Sequence, residues 1–248
     1  MNFLSFRKLL SLFLILFCTV SVCEAQRGGR NPEKALFGKS LNTKRVKYRE
    51  SPSVVKAKKK QAANQEKLKR EYAEYVKNES LVRHMLAVEA AMRFYAEKLG
   101  QDIETWGITG LLHDFDWEIH PTLEEHPLAG EPILHQHGVP EEIIRAVLSH
   151  ADHTGIPRET LMEKALYACD EITGLITAVA LVRPSRALYD LEPASVKKKW
   201  KDRAFAAGAN REEIAKAASE FNVDLWEHTG NVIQAMRRIA PELGLNGG

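Results

Sequence analysis

Leu81-Val82-Arg83-His84-Met85-Leu86-Ala87-Val88-Glu89-Ala90-Ala91-Met92-Arg93-Phe94-Tyr95-Ala96-Glu97-Lys98-Leu99-Gly100 decides the fold class. Leu81, Met85, Val88, Met92, Tyr95 and Leu99 recur at steps of four and three, the spacing that lines one face of an α-helix. Gly100 follows the last of them, where a helix ends on a residue free to turn left-handed. His84 sits between Leu81 and Val88 on the apolar stripe, so its side chain points inward. Strand-like alternation is nearly absent from residue 71 onward.

Outward from that stretch the pattern stays helical. A second helix is expected from Asp102 or Glu104 to Phe115, and Pro127 opens a third that reaches toward Gln136, with Gly138 behind it. Pro140-Glu141-Glu142 starts a fourth, its acidic first turn suited to the helix dipole. A long fifth helix runs from about Glu159 to Val182 and stops before Pro184. Two more lie near 194–205 and 210–240, the latter interrupted around Phe221–Asp224. The expected fold is all-α, a helical bundle in one domain over residues 71–248.

The N-terminal quarter is different. Arg7 and Lys8 precede the apolar run Leu9 to Val22, and Cys23-Glu24-Ala25 ends in a small residue suited to cleavage before Gln26. Residues 1–25 read as a secretory signal, because the run is shorter than the roughly 20 residues of a membrane span. An uncleaved N-terminal anchor is the alternative, and either way the chain is expected to be exported, periplasmic or secreted. Residues 27–70 hold 15 Lys and Arg against three Glu, a net charge of +12. The first 26 residues carry +1 and the whole chain +2, which leaves −11 for residues 71–248. The near-neutral total thus hides a basic linker, residues 26–70, on an acidic domain. With few large apolar residues the linker is expected to be largely disordered, turning helical from about Lys56. Its charge suits weak contact with an anionic surface. Only Phe37 and Tyr48 fall among the charges, so no specific nucleic-acid binding is expected. Of the three cysteines, Cys18 and Cys23 fall in the signal, leaving Cys169 without an internal disulfide partner.

The residues that carry chemistry sit on the helices. His113-Asp114 ends the apolar run Ile108 to Leu112, and Asp170 lies inside Leu166-Tyr167-Ala168-Cys169-Asp170-Glu171-Ile172. A buried unpaired carboxylate costs on the order of several kcal/mol, so Asp170 needs a strong partner, a divalent cation or an arginine. A lone histidine on an apolar stripe is more often a hydrogen-bonded core residue than a ligand. Two inward histidines and two aspartates on three helices are harder to explain that way, and imidazole with carboxylate suits first-row divalent metals.

His84, then Leu111-Leu112-His113-Asp114, then Asp170 resembles the H…HD…D signature of the HD-domain metal-dependent phosphohydrolase superfamily. The likeness covers roughly residues 80–205 and is nearest to small HDIG-type bacterial hydrolases, as in Gly107 to Asp114, in Lys164-Ala165-Leu166-Tyr167 running into Asp170 to Leu175, and in Lys197 to Phe205. The resemblance implies a core of about five helices with His84, His113, Asp114 and Asp170 at four ligand positions. It implies one or two divalent ions, Mn, Fe, Co, Ni, Zn or Mg. His126, His150 and His153 resemble the second-metal ligands of binuclear relatives, with Asp114 bridging. Adjacent histidines in some of those relatives are here His150-Ala151-Asp152-His153, which leaves open whether His150 or His153 binds.

The activity so implied is hydrolysis of a phosphorylated small molecule or nucleotide, a phosphomonoester or a phosphodiester, with Asp114 central to catalysis. A bound cation lowers the pKa of a water toward neutrality and offsets phosphoryl charge. Lys197, Lys198, Lys201 and Arg203 are the expected substrate-phosphate contacts, with Arg183 and Arg186 weaker candidates. Cys169 is expected to pack as a small apolar residue. Gly107 and Gly110 are read as close helix packing rather than a phosphate loop. The alternative function is a metal-binding HD domain without turnover, acting as a sensor or binding module. A purely structural helical domain leaves Asp170 unexplained.

Overall fold

A computed structural model describes residues 72–247 together with Ala63, Lys67 and Arg70. The signal over residues 1–25 and nearly all of the linker lie outside the described residues, and the described ones fall in one compact unit, Glu50–Gly248. Ala63, Lys67, Arg70 and Tyr72 are helical, as expected for the end of the linker. From residue 79 onward the helices are α1 (Glu79–Leu99), α2 (Ile103–Leu112), α3 (Glu131–Gln136), α4 (Glu141–Ser149), α5 (Leu161–Leu181), α6 (Pro193–Trp200), α7 (Arg211–Glu220) and α8 (Leu225–Arg237). Single 3₁₀ turns cover Leu128–Gly130 and Asp152–Thr154. There is no strand among the described residues, only an isolated bridge between Ala187 and Asn246.

Local chemistry sets the helix ends. The Asn78 side chain accepts from the amides of Ser80 and Leu81 to open α1, and Gly100 closes it at φ 66°. Thr160 and Glu163 form a reciprocal capping box at the start of α5. Asp102, Asn210 and Asp224 cap α2, α7 and α8 in the same manner.

Helices α1 and α5 are the centre of the bundle. α1 packs on α2, α5 and α8, while α5 packs on α4, α6, α7 and α8 as well. Val88, Met92, Leu166, Ile172 and Leu175 between them are fully buried. Gly110 is what lets α2 approach α1, since a Cβ there would stand 2.9 Å from the Val88 carbonyl and from Met92 Cγ. Cys169 is a buried free thiol in this core, and burial pushes its pKa up. Opposite it, His228 Nε2 lies 2.8 Å from the Ala168 carbonyl and Nδ1 lies 2.5 Å from the Tyr95 hydroxyl. A carbonyl only accepts, so Nε2 carries the proton and Tyr95 donates to Nδ1. Burial lowers the His228 pKa to about 4, against the opposing effect of the Ala168 bond.

Three expected boundaries shift. α2 stops at Leu112 rather than Phe115, because the chain turns at once: the Phe115 amide bonds to the Leu112 carbonyl and the Trp117 amide to that of Asp114. Pro127 does not open the third helix directly; a 3₁₀ turn intervenes before Glu131. α6 stops at Trp200 rather than 205, where Asp202 Oδ1 accepts from the amides of Ala204 and Phe205 and competes with helix continuation. The interruption expected near Phe221–Asp224 separates α7 from α8, with Asn222 at φ 57°.

Candidate metal centre

Two helices end on histidines, and they do so in the same way. His113 is the C-cap of α2 and His150 the C-cap of α4. His113 Nδ1 lies 2.8 Å from the Gly110 carbonyl, and His150 Nδ1 lies 2.6 Å from the Val147 carbonyl. Each ring thereby satisfies an orphan carbonyl of its own last turn. Because carbonyls only accept, both Nδ1 atoms carry a proton, which leaves Nε2 as the atom that can meet a cation.

The other two histidines reach the same state by different means. His126 Nδ1 lies 2.8 Å from Asp116 Oδ1, a carboxylate with 0% exposure. His84 Nδ1 lies 3.4 Å from Thr173 Oγ1, whose own proton goes to the Asp170 carbonyl at 2.7 Å. All four Nε2 atoms then face Asp114, and they do so in pairs. Asp114 Oδ2 is 3.5 Å from His84 Nε2 and 3.3 Å from His113 Nε2. Asp114 Oδ1 is 3.3 Å from His126 Nε2 and 3.6 Å from His150 Nε2. Asp170 Oδ1 joins the first pair, 3.0 Å from His84 Nε2 and 3.4 Å from His113 Nε2.

The electrostatics favour positive charge here. Burial opposes ionisation of Asp114 and Asp170, yet the neighbouring histidines outweigh it and hold both carboxyls below their usual range. Burial likewise opposes a charged His113, but Asp114 and Asp170 raise its pKa well above the ordinary value. His126 is raised to about 9 by Asp114 and Asp116 against its burial. The donor set fits a divalent cation. His84, His113 and Asp114 bring ligand atoms within 4.8 Å of one another, and so do Asp114, His126 and His150. Imidazole nitrogen with carboxylate oxygen is the donor chemistry of first-row divalent metals.

A cavity of about 440 Å³ opens onto the cluster, lined by His84, Asp114, His126, His150 and Asp170 at its base. Trp117 and Leu123 supply an apolar wall, and Asp152, Glu171 and Glu213 an acidic one. Burial, with Asp170 and Glu213 nearby, pushes Glu171 up to about 7. Of the two histidines that the sequence leaves open, His150 meets Asp114, whereas His153 lines the cavity with its Nε2 2.7 Å from the His126 carbonyl.

The expected phosphate contacts are elsewhere. None of Lys197, Lys198, Lys201 and Arg203 lines the cavity. Lys197 Nζ sits over the Trp226 ring at 5.1 Å and Arg203 pairs with Glu212 at 3.6 Å, so the basic run is a charged face on α6 and the turn after it. Arg183 is engaged with Asp190 and Ser195. Three residues that matter were not singled out from sequence. Asp116 and Thr173 orient histidines of the cluster, and Asp152 ties the turn after His150 to α5 and α7 through Arg158 Nη2 at 2.5 Å, the Tyr167 hydroxyl at 3.0 Å and Lys216 Nζ at 2.6 Å. The spacing Asp170 to Thr173 was a readable signal, since residues three apart share a helix face.

No curated protein and no solved structure matches the chain. The family model described as HD domain matches residues 81–175, a segment that starts within α1, ends within α5 and contains His113 and the five residues at the base of the cavity. Over residues 81–175, this chain is an HD domain.

Proposed function

We propose that the chain is a metal-dependent phosphohydrolase that uses two divalent cations. The observation that supports this most is Asp114 turning one oxygen to His84 and His113 and the other to His126 and His150. A carboxylate so placed could serve two cation positions at once. His84, His113 and Asp170 would hold the first with Asp114, and His126 and His150 the second. Cations in these places supply an activated water and offset charge on a phosphoryl oxygen.

The chain's own side chains do the rest. Thr173, Gly110, Val147 and Asp116 hold the four imidazoles in one tautomer, so the ligands are set before a cation arrives. Trp117 and Leu123 give one side of the cavity an apolar surface. Among the described residues no Lys or Arg lines the cavity, and Asp152, Glu171 and Glu213 do. Such a wall repels a polyphosphate leaving group, so of the three substrate classes a phosphomonoester with a neutral or cationic leaving group fits best.

The test is a panel of phosphomonoesters, nucleotides and phosphodiesters across Mn, Fe, Co, Ni, Zn and Mg. The expected result is metal-dependent phosphate release, fastest from monoesters of uncharged or amino alcohols. A fully metal-loaded protein that turns over nothing on the panel would favour the second reading, a metal-binding domain without turnover. Retention of every residue of the ligand series favours the enzyme.

A further inference from the structure

Among the four histidines around Asp114, one is held differently. Gly110 and Val147 offer His113 and His150 a neutral carbonyl, and Thr173 offers His84 a hydroxyl. His126 alone has a carboxylate at Nδ1, Asp116 Oδ1 at 2.8 Å. Asp116 is fully buried, and its other oxygen, Oδ2, has no hydrogen-bond partner. A buried, half-satisfied carboxylate is an expensive thing to keep, and a neutral acceptor would fix the same tautomer without that cost. The surrounding backbone is also shaped to admit it. A Cβ on Gly130 would stand 2.8 Å from Asp116 Cγ and 2.9 Å from Oδ2, so the carboxylate fits only because residue 130 has no side chain. His126 is further fixed by the Trp117 ring edge-on at 4.9 Å and by His153 at its carbonyl.

We propose that Asp116 is a positioning residue that creates the second cation position: its charge makes the His126 imidazole a stronger donor and aims its Nε2 at Asp114 Oδ1. The proposal rests on the two-cation reading above. A carboxylate behind a histidine ligand raises its basicity, and losing such a partner weakens metal affinity about 10–100-fold. The first position owes nothing to Asp116, because His84, His113 and Asp170 are oriented by other groups. Gly130 is the second part of the device, since it gives Asp116 its room.

The experiment is calorimetric titration of the full chain with Zn, for the wild type, Asp116→Asn and Gly130→Ala, with bound metal counted by elemental analysis. Wild type is expected to bind two equivalents. Asp116→Asn, which keeps shape and acceptor but removes the charge, should hold the first equivalent as before and bind the second about 10–100-fold more weakly. Gly130→Ala, which touches no ligand, should weaken the same equivalent and serves if Asp116→Asn does not fold. In the Zn-loaded wild type the Nδ1 proton of His126 should give a downfield, hydrogen-bonded nitrogen–proton correlation that moves upfield in Asp116→Asn, a signature that a merely structural role would not shift. Two equivalents at wild-type affinity in either folded variant, or loss of both equivalents together, overturns the proposal. A wild type that binds a single equivalent overturns the two-cation reading and this inference with it.

Discussion

His84 Nε2 stands 3.0 Å from Asp170 Oδ1, joining two helices whose contributing residues are 86 positions apart in the chain. A cation held between them binds the folded state and not the unfolded one, so it should stabilise the fold. At free Zn of 100 times the dissociation constant the gain is about 2.7 kcal/mol. Thermal melts with Zn and with chelator should differ accordingly for the wild type, and the difference should shrink in Asp170→Ala, which keeps the position of Asp114, His126 and His150. A Zn-dependent gain of wild-type size in Asp170→Ala would remove this residue from the site.

Asp114→Ala should abolish metal-dependent turnover of a generic aryl phosphate, a loss larger than the roughly 10–100-fold that even an outer-shell change costs. Lys197→Ala and Lys201→Ala should leave turnover unchanged, because neither side chain lines the cavity. Steady-state kinetics on the three variants decide the matter, and a large rise in KM for the lysine variants would restore them as phosphate contacts.

Arg158 is the hub on the far side of the cavity wall. Its guanidinium lies 3.6 Å over the Tyr167 ring, bonds Asp152 and Glu220, and donates to the Ser149 carbonyl at 2.9 Å. Its side chain is 7% exposed, but Asp152 and Glu220 are 42% and 31% exposed, which softens the cost of unpairing them. Arg158→Ala should destabilise the protein by about 2 kcal/mol in denaturant unfolding, below the 3–5 kcal/mol of a fully buried pair. Amide exchange should rise first around Ala151–Gly155. Unchanged exchange there would mean that the turn holds without the arginine.

His228 gives a pH signature separate from the metal centre. Its pKa is lowered from 6.5 to about 4 by burial. Between those values the unfolded chain binds a proton that the folded chain refuses. The contribution is therefore fully present above pH 6.5, shrinks as pH falls, and has been lost to the extent of about 3 kcal/mol by pH 4. His228→Gln removes the titration, so its unfolding free energy should vary less than that of the wild type between pH 6.5 and 4. Parallel curves would show that His228 charges freely in the folded state.

The sequence made the bundle and the heart of the site readable because both rest on helical period. Leu81 to Leu99 repeats as one face, so α1 and the inward position of His84 followed directly. Asp170 was readable because a carboxylate amid apolar helix residues demands a counter-charge. The turn from His113 to His120 was not readable. It holds no Gly or Pro, and what folds it is a set of backbone bonds such as Trp117 to Asp114 and His120 to Asp116. That turn brings Asp116 beneath His126, so the same silence hid Asp116. The place of the Lys197–Arg203 run was unreadable for the opposite reason. Charge density on a helix says that the face is wet, and only packing says whether a cavity lies in front of it; here Lys197 covers Trp226 instead.

Helix caps at His113 and His150, described above as a way of satisfying carbonyls, also bear on when the site comes into being. Gly110 and Val147 orient their histidines within a single turn, so these two donors are ready as soon as α2 and α4 form. His84 and Asp170 meet only when α1 closes on α5, one of the longer loops the chain has to shut. A nascent chain thus offers half-built clusters early and a complete one late. The donor set that includes His84 and Asp170 therefore exists only once the two central helices have met.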